Sequence, residues 1–121
     1  MSNEEINRKI AVIFATDLVG YSKHMEKDEN ATLLGLRECN KIIEPLIKKQ
    51  KGRIFNTGGD SVFAEFPSAV AAVDTAVEFQ KQIKARNDKD TTDVKLEYRI
   101  GVNMGDVVKE GDNLLGDGVN I

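Results

Sequence analysis

Two aspartates, each beside a glycine turn, are the residues of this chain best suited to chemistry. Asp17 lies where an apolar, β-branched run over residues 10–14 gives way to Thr16 and then to a turn through Gly20. Asp60 follows Gly58 and Gly59 between two short apolar runs. A carboxylate at the exit of a buried strand can hold a cation, and the amides of a glycine turn entering a helix can meet phosphate oxygens. Each aspartate taken singly also fits a structural role as a helix cap or turn residue. Convergence of the two is what would separate a site from a pair of caps. Other reactive side chains are scarce. His24 is the sole histidine and reads as an exposed helix residue. Cys39, the sole cysteine, reads as a small buried core residue, which excludes an intrachain disulfide and a cysteine-based metal cluster.

The elements that carry the aspartates decide whether they meet. Residues 9–16 read as a strand buried on both faces, and residues 20–27 as one or two helical turns. N-cap candidates at 28–31 precede a long helix in which Leu36, Cys39, Ile43 and Leu46 recur at helical spacing. Pro45 removes one hydrogen bond of that helix and should bend it, and Gly52 stands where a C-terminal cap belongs. Residues 53–57 and 61–66 read as a hairpin whose tip has glycines available for positive φ. Pro67 and Ser68 open a second helix with Val70, Val73, Val77 and Ile83 on one face. After a polar loop at 87–93, Val94, Leu96, Tyr98, Ile100 and Val102 alternate with charged residues as a half-buried strand. Gly105 and Asp106 are expected to turn into a short strand at 107–110, followed by a glycine-rich loop at 111–118.

This order, β-α-β-β-α-β-β, predicts an α+β fold of the ferredoxin-like kind (βαββαβ), an antiparallel sheet with helices on one face. In that topology the first and third strands are antiparallel neighbours, so the end of one lies beside the start of the other. Asp17 and Asp60 occupy those places. With neighbouring strands ~4.8 Å apart, the two carboxylates can share divalent cations. Mg²⁺ and Mn²⁺ suit such a site, because they take one or two carboxylates and complete their shells with water and substrate phosphates. The Leu18 carbonyl is a further oxygen donor, and the amides of Val19, Gly20, Tyr21 and Ser22 face the entry of the first helix. A pair of such ions supports in-line phosphoryl transfer.

The bulk composition narrows the alternatives. At 121 residues the chain is expected to form one small domain. A net charge of −3 leaves no electrostatic footprint for nucleic acid. No apolar run approaches the ~18 residues of a membrane span, and residues 1–8 form a polar lead-in without a signal-peptide core, so a cytoplasmic location is expected.

The segments TDLVGYS, GRIFNTGGDSVFAEFPSAVAAV, YRIGVNMGDV and GDGVN, in this order, resemble the catalytic domain of class III nucleotidyl (adenylate and guanylate) cyclases, bacterial branch, over residues 9–121. The resemblance implies conversion of ATP, or alternatively GTP, to a 3′,5′-cyclic monophosphate with release of pyrophosphate in cyclic-nucleotide signalling. It also implies two Mg²⁺ or Mn²⁺ ions and a homodimer with active sites between protomers. Position by position, it makes Asp17 and Asp60 metal ligands, Leu18 the carbonyl donor, the turn through Gly20 and Tyr21 the phosphate loop, and Asn120 the asparagine that orients the ribose from the partner chain. Two departures concern the base. The family's purine-selecting lysine and aspartate are here Asn56 and Asn113, and asparagine can present either a donor or an acceptor. A third concerns length: the family's arginine four residues past the asparagine falls beyond Ile121, so the sequence is expected to hold the N-terminal two-thirds of such a domain and to be inactive alone. Two rival readings are a non-catalytic dimerisation or nucleotide-sensing module and a diguanylate cyclase. For the latter, Gly58-Gly59-Asp60 matches part of the motif, but Ser61 and Val62 stand where an acidic and an aromatic residue belong.

Overall fold

The structure is a computed structural model and describes residues 7–89 and 94–119. Its elements are β1 (Asn7–Leu18), α1 (Tyr21–Lys27), α2 (Glu29–Lys49), β2 (Arg53–Gly58), β3 (Ser61–Phe66), α3 (Ala69–Lys89), β4 (Tyr98–Glu110) and β5 (Asn113–Leu115), followed by a 3₁₀ turn, Asp117–Val119. The strands form one antiparallel sheet in the order β2-β3-β1-β4-β5. The first four positions are the expected ferredoxin-like order, and β5 is added outside β4. Helices α2 and α3 cover one face.

Alternation along β1 builds that face. Val12, Phe14 and Leu18 point into a core shared with Val62, Ala64 and Phe66 of β3, Leu36, Cys39, Ile43 and Ile47 of α2, and Ala72, Phe79 and Ile83 of α3. Phe14 and Phe66 meet with ring centroids 5.5 Å apart, and Phe79 meets Tyr98 edge-on at 5.1 Å. The intervening residues Ala11 and Ile13 face the other way and pack on Val107 and Leu114.

Caps set the helix limits. Asp28 accepts a hydrogen bond from the Ala31 amide at 3.0 Å, opening α2 as its sequence predicts. The helix runs through Pro45 and closes in a Schellman arrangement, with Lys51 N donating to Lys48 O and Gly52 N to Ile47 O. Here the left-handed residue is Lys51, at φ 61°, and not Gly52. Gly52 is needed for space: a Cβ there would lie 2.8 Å from both Ile47 and Phe66.

Three further expectations are corrected. In α3 the buried stripe is Ala71, Ala72, Thr75, Phe79 and Ile83, while Val70, Val73 and Val77 are 70%, 48% and 50% exposed. Both stripes have helical spacing. The small one lets the helix approach the sheet closely, and Thr75 satisfies its hydroxyl on the Ala71 carbonyl at 2.8 Å. Next, Gly105 and Asp106 do not turn; β4 runs unbroken because β1 pairs with it from Asn7↔Lys109 to Leu18↔Tyr98. The strand begins only at Tyr98, since β1 ends at Leu18. Leu96 is instead bracketed by the Asn87 side chain, which donates to its carbonyl and accepts from its amide at 2.7 and 3.2 Å. Finally, the glycine-rich stretch after β4 is a hairpin: Gly111 turns at φ 61° and β5 pairs back on β4.

Candidate active site

The pairing of β1 with β3 brings the two aspartates to one end of the sheet. Thr16 lies opposite Val62, and just beyond it the Leu18 amide donates to the Asp60 carboxylate at 2.9 Å. Gly59, at φ 56°, makes the tight turn that presents Asp60 there. Asp17 points to the face without helices, the opposite direction from Leu18. Its ladder partner on β4 is Arg99, whose Nε and Nη2 bond both carboxylate oxygens at 2.9 and 3.0 Å. That bond holds the guanidinium proton still more firmly than usual, so Arg99 stays charged.

A cleft of about 860 Å³ opens on this helix-free face, with Asp17, Asn56, Ser61, Phe63, Arg99 and Leu114 among its walls. The Ala15–Gly101 pair makes part of its floor, because two small residues sit opposite each other there. Asn56 reaches the cleft through a bulge. Ile54 pairs with Ala64 and Asn56 with Phe63, leaving Phe55 as the extra residue. Strict alternation would put Asn56 on the helix face with Ile54; the bulge reverses its side. The ends of the sheet approach each other over this face, where Arg53 Nη1 donates to the Asp112 carbonyl at 2.7 Å.

The remaining sequence-derived positions divide. Gly20 adopts φ 67° and leads into α1, with Tyr21 packed against the core and Ser22 exposed. The Val19 amide, expected to face a phosphate, donates instead to the Glu97 carbonyl at 2.8 Å. β1 has ended there, and the chain after α3 supplies the acceptor. Asn113 opens β5 and its side-chain oxygen accepts from the Leu114 amide at 2.9 Å, outside the cleft walls. Asn120 lies outside the described residues. His24 is half-buried, and its carbonyl accepts from Asp28 N and Thr32 Oγ1. Burial pushes the Cys39 thiol and the Tyr98 phenol upward, so both stay neutral and neither is an activated nucleophile. Arg99 was the residue that sequence reasoning missed. Its charge placed it on the polar side of an alternating strand, but that side lines the cleft.

Among the described residues there is no group of three or more His, Cys, Asp and Glu side chains placed to hold a metal. Asp17, Asp60 and the Leu18 carbonyl would nevertheless make an all-oxygen donor set. That set fits a hard divalent cation that fills its shell with water and phosphate oxygens, and not a zinc-like ion needing four protein ligands.

No protein-family model matches the chain. A crystal structure of an adenylate/guanylate cyclase/hydrolase from Silicibacter pomeroyi is 35% identical and superposes with a TM-score of 0.84, covering 96% of this chain and 68% of that one. The adenylyl cyclase CyaB from P. aeruginosa is 27% identical with a TM-score of 0.78 over 96% of this chain and 70% of its own. A Rhizobium meliloti protein named "Putative adenylate cyclase 3" is 43% identical over 122 residues. This chain spans 21% of that protein's length. An α+β sheet with helices on one face, matched along its length at this identity, defines a cyclase catalytic domain. The chain belongs to the class III adenylate/guanylate cyclase family.

Proposed function

We propose that the cleft binds a purine nucleoside triphosphate, ATP first, for conversion to 3′,5′-cyclic AMP and pyrophosphate at a homodimer interface. The observation that supports this most is the Leu18–Asp60 hydrogen bond, which brings Asp60 to the end of β1 next to Asp17, itself a wall residue of the cleft. Asp17, Asp60 and the Leu18 carbonyl would hold Mg²⁺ or Mn²⁺, which supplies neutralisation of phosphate charge when bound. Gly20, Tyr21 and Ser22 begin a helix whose first amides lack partners within it, and these can meet phosphate oxygens. Val19 holds the loop in place through Glu97. Asn56 lines the cleft and would meet the base there, while Asn113 is engaged with its own strand. Asn120 is the group proposed to orient the ribose from the partner protomer.

Mn²⁺ and ATP together should raise the melting temperature of the chain by mass action on the folded state. Asp60→Asn, nearly isosteric, should remove that response; an unchanged shift would place the cation elsewhere. Asn56→Lys should move relative binding of ATP and GTP towards ATP, whereas Asn113→Asp should move it less. Equal effects of the two substitutions would contradict the placement of Asn113.

A further inference from the structure

Arg99 lies across the sheet from Asp17 and takes both of its carboxylate oxygens. A divalent cation at Asp17 needs at least one of the same oxygens. The two demands conflict: the guanidinium fork takes one lone pair of each Asp17 oxygen and rules out a chelating cation on that edge, and a guanidinium and a dication held on one carboxylate repel each other. Asp60 is placed differently: one of its oxygens accepts only the Leu18 amide, a bond compatible with a cation on the other. The pair is also open enough to part. The Arg99 side chain is 71% exposed and the Asp17 side chain 39%. An ion pair so exposed is weak, so it can be displaced, yet its bidentate geometry makes it specific.

We infer that Arg99 is a positioning residue that competes with the divalent cation for Asp17, so that metal binds by displacing the guanidinium from the carboxylate. This rests on the reading of Asp17 and Asp60 as the cation site. The competition lowers intrinsic cation affinity at Asp17 and leaves Asp60 as the anchor. It also makes the guanidinium available inside the cleft only after the cation has arrived.

The test uses Mn²⁺ alone, titrated calorimetrically into the 121-residue chain and into Arg99→Ala, Arg99→Lys and Asp60→Asn, with folding checked by circular dichroism. Lysine keeps the charge but cannot hold both oxygens. Competition therefore predicts that both Arg99 variants bind Mn²⁺ tighter, Arg99→Ala by about fivefold, the upper range for an exposed pair, and Arg99→Lys by most of that. In the unsubstituted chain, Mg²⁺ should shift the Arg99 Nε–H resonance, and Asp17→Asn should abolish that shift. Arg99→Lys binding as the unsubstituted chain does would mean that charge alone acts. Weaker binding in Arg99→Ala would mean that Arg99 helps to hold Asp17 for the metal. Either result overturns the inference while leaving the cation site standing. Asp60→Asn should bind weakest; failure of the folded unsubstituted chain and of both Arg99 variants to bind Mn²⁺ would overturn the cation site itself, and the inference with it.

Discussion

The two faces of the sheet are built from the same strands on opposite terms. Towards the helices, β1 sends Val12, Phe14 and Leu18, and β3 sends Val62, Ala64 and Phe66, into a core closed by Phe79 and Tyr98. Each large apolar side chain buried there contributes ~1.5–3 kcal/mol. Towards the cleft, β1 and β4 oppose Ala15 to Gly101 and Ala11 to Gly105, and then Asp17 to Arg99. Small residues leave room for a ligand and for the returning hairpin, and charges replace apolar area. The comparison separates two duties. One face makes the domain stable, and the other gives up burial for access and polarity.

Phe79→Ala should test that contrast most severely. The ring is fully buried, so its loss should cost ~3–5 kcal/mol in urea unfolding. Phe63→Ala, in the cleft wall, should cost about 1 kcal/mol. Equal losses would mean that the cleft face is as structural as the helix face.

Gly118→Ala probes where the returning chain seals part of the open face. A Cβ there would lie 2.5 Å from the Asp106 carbonyl oxygen and 3.0 Å from the Gly105 carbonyl carbon, both backbone atoms that cannot yield cheaply. A loss of ~1–3 kcal/mol is expected, with faster amide exchange at Leu114. Unchanged exchange would show that β5 does not depend on this approach.

Acidity should affect the two faces unequally. On the open face Glu65 pairs with Lys9 and Arg53. Burial raises its affinity for a proton, but the bonds and charges of Lys9 and Arg53 outweigh this and hold the carboxyl below the ordinary glutamate value. A depressed value means stability that is present above the unfolded pKa and lost as pH falls through the folded one. Glu65→Gln should therefore cost less than ~1 kcal/mol near neutrality, and the difference should vanish at low pH. The Phe79→Ala cost should persist there. A Glu65→Gln penalty that held constant across the titration would contradict the ion-pair account.

The smallest effects belong to the valines on the outside of α3. Val73→Thr and Val77→Thr should change stability by less than ~0.5 kcal/mol. Ala72→Val, on the buried stripe of the same helix, should cost ~1–3 kcal/mol by overpacking. Reversed magnitudes would restore the valine stripe as the core face.

Much of the scaffold was legible because its signals are local. The apolar run of β1, the Asp28 cap, the Leu36-Cys39-Ile43 stripe and the glycine hairpin each announce their element within a few residues. From their order follows the adjacency of β1 and β3, and so the approach of Asp60 to Leu18. Legibility failed where two local answers were equally good. Valines and alanines in α3 share the helical period, and only the packing of the folded chain chose which face is buried. Gly105 reads as a turn until a partner strand long enough to keep β4 straight is known.

By itself, then, the sequence determined most of the elements, the order of the first four strands, the family motifs and the end of the sheet where its aspartates lie. Periodicity and turn chemistry act over a few residues and survive in any context. The tertiary structure alone decided which side each cleft residue faces and what it touches. A one-residue bulge at Phe55 sends Asn56 into the cleft. Glu97 takes the Val19 amide, and strand register sets Arg99 against Asp17, 82 positions earlier in the chain. Those facts depend on pairing between distant segments, which has no trace in the spacing of either segment alone.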